Sequence, residues 1–288
     1  SHISAMVSRI FEKEEEEVGG DESHARRVVT ALRAMCDLPA GAAVVFKAGA
    51  IAEVSTALSE AKSSALREAA LDMLSHLAAA SDAARIAMRD GPIITTAVRH
   101  IAEGIAKASE KAVGKEALDL LLLLSESEAL REAIRIAAPL DSIVSLCNSS
   151  SEERTHALLF VANTYSSVLS TAHCMDAPAA AKEASTCVTE LLSRYHIEQE
   201  VVTMLNDALR SINKDPKGQR AKLRRSLAAV RSLATAEEMR ARLVKAGGAD
   251  ALARALTTVR THPLGATAAD LAVAAEAIQR LAFAKDLR

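Results

Sequence analysis

Glu68, Asp72 and His76 stand at i, i+4 and i+8, so two carboxylates and an imidazole share one exposed stripe of a helix. Asp119 continues the acidic stripe in the next stretch of the same kind. Such a face suits a basic ligand or a row of backbone N–H donors, and the plainer reading is a solvated helix surface. Toward the other end, residues 214–231 carry Lys214, Lys217, Arg220, Lys222, Arg224, Arg225 and Arg231 against Asp215, seven cations to one carboxylate. That density suits an acidic peptide, a phosphate or an acidic tubulin-like tail, and a solvated loop and helix start accounts for it as well.

Other chemistry finds little support. His24, His76, His100, His156, His173, His196 and His262 are dispersed, and the adjacent His173-Cys174 has no second ligand pair at metal-site spacing. No glycine-rich phosphate loop, nucleophile elbow or HExxH motif occurs, and lone Ser and His residues do not make a triad. The sequence therefore predicts no catalytic residues, no metal and no cofactor. Cys36, Cys147, Cys174 and Cys187 are scattered without a CxxC pair, which fits reduced intracellular thiols buried as small hydrophobes, with a cytoplasmic location as the expectation. The longest clean apolar run, Leu120–Leu124, is too short for a membrane span, and no signal-peptide pattern is present. Nucleic acid is disfavoured, because no aromatic platform is interleaved with the cations and the formal net charge is -2.

Helices must position these residues. The 288 residues are 50% hydrophobic but only 2% aromatic, so Leu and Ala carry the core, and 11 Gly with 6 Pro are too few for the turns of an all-β fold. The class is all-α. Ser1–Ala5 read as a tag remnant, and 6–23 as an acidic flexible segment, with seven acidic residues against one lysine over 12–22. From there the pattern repeats. Lys47-Ala48-Gly49-Ala50-Ile51 opens a helix–corner–helix, and a variant at Arg89-Asp90-Gly91-Pro92-Ile93 follows 42 residues later, a period in the range of two- and three-helix solenoids. Lys245-Ala246-Gly247-Gly248-Ala249 repeats the opening almost residue for residue.

The repeats are placed near 24–46, 47–88, 89–134, 135–193, 194–244 and 245–288, with 170–194 read as an insertion containing an extra helix. In the first, Val28, Leu32 and Met35 share a face, and Pro39-Ala40-Gly41 reads as a stop. In the second, Ala70, Leu71, Leu74 and Leu77 face inward. The long helix Ala112–Leu124 is apolar almost all round, which predicts burial between neighbours. Residues 213–219 read as a polar loop before a helix from Ala221 to Ala234. The last helix, Ala268–Ala282, carries Leu271, Ala274, Ala275, Ile278 and Leu281.

The string K-A-G-A-I after a short helix, then a second helix, then A-L-R-E-A-A-L-D-M-L-S-H-L-A, resembles an armadillo repeat, with HEAT repeats as the near alternative. Lys245–Gly248 with the Leu271–Ala282 helix resembles it again, and residues 89–137 do so less closely. The resemblance implies a right-handed α-solenoid of about six repeats whose successive third helices line a groove. In importin-α and β-catenin types that groove carries a ladder of Asn, with Trp one turn earlier in the importin type. The ladder position here holds Ala34, His76, Leu123, Asn163, Ser232 and Arg280; the position one turn before it holds Thr30, Asp72, Asp119, Leu159, Ala228 and Glu276. Only Asn163 matches, and Trp is absent, which counts against a nuclear-transport adaptor.

The resemblance implies a non-enzymatic scaffold or adaptor that binds a peptide or partner domain, with Glu68, Asp72, His76, Asp119, Asn163, Arg231, Glu276 and Arg280 as groove candidates and Lys217, Arg220, Lys222, Arg224 and Arg225 as a basic patch. A cytoskeletal or ciliary assembly factor binding microtubules and a chaperone cofactor are the alternatives. The sequence begins and ends near repeat boundaries, as one piece of a larger protein would. Ile278, Leu281 and Phe283 have no following repeat to cover them, which predicts a cap at Lys285–Arg288, further repeats, or a homodimer through the C-terminal repeat.

Overall fold

The computed structural model describes residues 22–89, 91–138, 144, 151–171, 179–212, 214–261 and 268–282, and every long element among them is an α-helix. The chain divides into two compact units, Ser1–Leu146 and Cys147–Arg288. The N-terminal unit holds α1 (Glu22–Cys36), α2 (Pro39–Lys47), α3 (Ala50–Glu60), α4 (Ser64–Ala80), α5 (Asp82–Ala87), α6 (Ile93–Ala106), a 3-10 turn (Ala108–Glu110), α7 (Lys111–Ser125) and α8 (Glu128–Ala137). The C-terminal unit holds α9 (Ser151–Thr171), α10 (Ala179–Arg194), α11 (Ile197–Ser211), α12 (Pro216–Leu233), α13 (Glu237–Lys245), α14 (Gly248–Thr261) and α15 (Ala268–Leu281).

Among the described residues, α2–α4, α5–α7 and α13–α15 each run as a short helix, a second helix and a third helix. Two corners turn on glycine: Gly49 at φ 81° and Gly247 at φ 84°. The backbone bonds match, with Gly49 N donating to Phe46 O at 3.1 Å and Gly247 N to Val244 O at 3.0 Å. The corner before α11 has the same pattern, His196 N donating to Ser193 O at 3.2 Å, but its left-handed residue is His196 at φ 48°. α10, which ends at that corner, is 16 residues long where α2 and α13 have nine. It falls in the stretch read as an insertion, of which residues 172–178 lie outside the described residues.

Serine punctuates the long helices. The Ser63 hydroxyl accepts from Leu66 N at 3.3 Å to start α4, and Ser81 ends α4 while capping Ala84 N of α5 at 3.4 Å. The third helices stack in sequence, α1 on α4 on α7 in the first unit and α9 on α12 on α15 in the second. This stacking explains the apolar α7: Leu120 to Leu124 are all buried. Ala70, Leu71, Leu74 and Leu77 face inward as read.

Four readings change. α1 buries Ala25, Val29, Leu32 and Cys36, and Met35 stays 41% exposed. Both stripes have helical spacing and share Leu32; the helix turns its smaller residues to the neighbour and leaves flexible Met35 outside. Pro39 begins α2 rather than marking a stop, because proline fits the first helical turn. For the same reason α12 begins at Pro216, so residues 217–219 lie on a helix and not in a loop. On α15, Ala274, Ala277 and Leu281 are buried while Ala275 is exposed. Leu281 is thus buried and Ile278 half-buried, and Phe283 and Lys285–Arg288 lie outside the described residues.

Candidate functional site on the third helices

Asp72 and His76 occur where the ladder would run, and each is tied into the protein. Arg33 on α1 donates from Nε to Asp72 Oδ2 on α4 at 3.2 Å. His76 Nδ1 lies 3.2 Å from Asp72 Oδ1, and its Nε2 is 3.6 Å from Asp37 Oδ1 at the end of α1. The hydrogen bond from His76 holds the Asp72 carboxyl below its usual range, and the same bond raises the His76 pKa.

The C-terminal unit repeats this device. Arg231 on α12 lies 3.4 Å from Glu276 on α15. Arg280 bonds Glu276 at 2.5 Å and reaches back to Thr235 Oγ1 at 2.6 Å. The registers coincide. Arg33 and Arg231 each stand one residue before the ladder position, Asp72 and Glu276 one turn before it, His76 and Arg280 at it, and Asp37 and Thr235 three residues after it. These groove candidates therefore form two equivalent clasps between neighbouring third helices. The sequence reading missed Arg33, Asp37 and Thr235.

Between α4 and α7 the arrangement differs. Glu68 is exposed, and Asp72, Glu116 and Asp119 are partly exposed. Burial pushes the Glu116 carboxyl above its usual range, the charges of Asp119, Asp72 and Glu68 add to the shift, and Lys115 opposes it. Glu116 was not among the sequence candidates. Its place three residues before Asp119, on the same helix face, was the available signal.

Asn163, the single ladder match, is fully buried, as are Leu159, Ala228 and Ser232, so α9 and α12 present no polar ladder to solvent. The basic segment is partly engaged: Arg220 lies 3.7 Å from Asp270, Arg225 Nη1 lies 3.5 Å from His156 Nε2, and Lys222 is exposed. The Lys217 side chain lies outside the described residues. Burial pushes the Cys36 thiol up to about 11, as befits a packed hydrophobe, whereas Cys187 is exposed. A cleft of about 640 Å³ opens between the second helices α3 and α6, lined by Phe46, Ile51, Ala52, Pro92 and Ile93 among others, with no charged side chain among the described residues. Among the described residues no single helix is long and apolar enough to cross a membrane.

Stacked three-helix repeats with glycine corners define an α-solenoid, and comparison with solved structures gives its type. A designed armadillo repeat protein in complex with peptide (KR)4 superposes with a TM-score of 0.53 at 15% identity, over 98% of this chain and 100% of that one. Another designed armadillo repeat protein gives 0.54 at 16%, over 97% and 99%. Computationally designed armadillo repeat proteins for modular peptide recognition give 0.52 at 16%, over 96% and 99%. The chain has the armadillo-repeat fold. No family model and no curated protein matches the sequence.

Proposed function

We propose that the protein is a non-enzymatic scaffold that binds a peptide or partner segment along the exposed faces of its third helices. The observation that carries the reading is the placing of Glu68, Glu116 and Asp119 on the open side of α4 and α7. Their charges, with that of Asp72, which Arg33 and His76 already hold, outweigh the opposing Lys115 at Glu116. Negative charge concentrated on a half-open face is relieved by a cationic or N–H-rich ligand. Designed proteins of this fold are described as built for peptide recognition, one with a peptide of alternating Lys and Arg, which supports the same use of the scaffold here. The basic segment supports an acidic-tail partner less well, since Arg220 and Arg231 already face Asp270 and Glu276.

Selection of unstructured peptides from a display library tests the reading. The expected winner loses binding in Glu68→Lys/Glu116→Lys and keeps it in Thr56→Lys, which alters the exposed second-helix side of the same repeat. Enrichment of no peptide, or binding that is lost only with Thr56→Lys, would exclude it.

A further inference from the structure

Among the described third helices, α1 leaves open a face that the others bury. Counted from the ladder position, this face consists of the residues six and three before it and the one after it. In α4 these are Ala70, Met73 and Leu77, and there and at the same registers of α7, α9, α12 and α15 every residue is 2% exposed or less. In α1 they are Val28, Ala31 and Met35: Val28 is part-exposed, Ala31 exposed and Met35 41% exposed. All three are apolar and stand at the spacing of a core face, so burial is what their types favour. The neighbouring repeats show what is missing. α3, α6, α11 and α14 are second helices, each packed on the third helix that follows it, whereas α1 opens the described residues with none before it.

We infer that Val28, Ala31 and Met35 are the docking face for residues 6–18 of the same chain, a segment outside the described residues that serves as the second helix of the first repeat. Its length fits. As a helix, 6–18 spans about 20 Å, against about 22 Å for the 15 residues of α1. The corner fits as well: residues 19–21 leave three positions before α1, as Ala61–Ser63 do between α3 and α4, and Gly19-Gly20 suits a tight reversal. The start of α1 is fixed, because the Glu22 carboxylate accepts from Lys62 N at 2.6 Å and from Ser63 N at 2.9 Å. Val7, Ile10, Phe11 and Val18 share one helical face, with Glu14 among them. Antiparallel from that corner, equal rise sets Phe11 within about a turn of Ala31 and Val7 within about a turn of Met35. The largest apolar residue of the segment then lies over the smallest of the stripe. Charge agrees with this register. Glu14, Glu15 and Glu16 fall beside Arg26 and Arg27, which are exposed and have no ion pair among the described residues. The inference does not depend on the peptide-scaffold reading.

NMR on the full chain with isotope-labelled methionine methyls tests the docking. Nuclear Overhauser contacts are expected from the Met35 methyl, assigned through Met35→Leu, to the ring of Phe11, and they should vanish in Phe11→Leu. Amides of residues 7–17 should exchange about tenfold or more slowly than in an unstructured peptide of the same sequence. Arg26→Glu/Arg27→Glu should remove that protection, and adding Glu15→Lys/Glu16→Lys should restore a good part of it. If circular dichroism shows that the arginine variant does not fold, Glu15→Lys/Glu16→Lys alone should lose the same protection. Exchange of residues 7–17 at the peptide rate, with no contact to Met35, overturns the inference. So does a Met35 contact that appears only between labelled and unlabelled copies in a mixed sample, since the stripe is then an interface between two chains.

Discussion

Arg33 reaches across from α1 to Asp72 on α4 at 3.2 Å, from the same register that Arg231 uses to reach Glu276 at 3.4 Å. The two pairs differ in exposure: Arg33 is 37% exposed and Arg231 13%. An open pair is screened by water, whereas a covered one also buries the arginine stem. Arg33→Ala should therefore cost less than about 1 kcal/mol and Arg231→Ala about 1–2 kcal/mol, read as midpoint shifts in urea at constant slope. Equal losses would mean that the stems contribute nothing.

Two histidines of the N-terminal unit should respond to pH in opposite senses. The bond to Asp72 raises His76, so its contribution is complete below the ordinary 6.5 and is lost as pH rises through the higher folded value. Burial lowers His100, whose Nδ1 lies 3.0 Å from Glu103 and whose Nε2 has no partner among the described residues. Protonation would place an N–H where nothing accepts it. Its contribution is present above 6.5 and is lost as pH falls through 6.5 toward the lower folded value. NMR titration of the ring protons should give one midpoint above and one below 6.5. His100→Gln should flatten the acid limb of the stability profile, and His76→Ala the alkaline one.

α6 and α7 cross backbone to backbone. A Cβ built on Gly104 would lie 2.9 Å from Gly114 Cα and 3.0 Å from Glu110 O, which no side chain can vacate. Gly104→Ala should cost about 1–3 kcal/mol in thermal or urea unfolding. Gly91→Ala is the control: an added Cβ there meets nothing within 4 Å, and stability should hold.

The repeat architecture was legible because it is local. The Lys47 opening, the 42-residue return and the Leu120–Leu124 run each carry their meaning within one helix or turn. The corner at His196 was not, because a left-handed residue is expected to be Gly and the backbone here imposes that conformation on an imidazole. The site was half legible. Glu68, Asp72 and His76 could be placed on one face by spacing, but Arg33 and Asp72 are 39 residues apart, and only the stacking of third helices shows that the acid already has a cation. Asn163 matched the ladder by position and failed it by burial, which spacing does not report. His196→Gly should raise stability by about 1 kcal/mol, since it removes the left-handed cost, and a lower melting point would count against the corner's strain.

One device was in the sequence and went unread. Asp82, Glu128 and Glu237 open first helices, and three residues on stand Arg85, Arg131 and Arg240. Each arginine folds back onto the end of the preceding third helix: Arg85 Nη1 donates to Ala78 O at 2.9 Å, Arg131 Nε to Ser125 O at 2.9 Å, and Arg240 Nη1 to Thr235 O at 3.1 Å. A cation there satisfies carbonyls that a helix end leaves unpaired and meets the negative end of its dipole. Arg85 carries the most, being buried beside buried Glu126 at 3.4 Å. Arg85→Ala should cost about 3–5 kcal/mol, because it removes the cation from a buried pair. Adding Glu126→Gln should return a good part of that loss, while Arg240→Ala should cost only about 1 kcal/mol. A double-mutant cycle in urea reads the coupling, and additive losses would show that the pair with Glu126 contributes nothing.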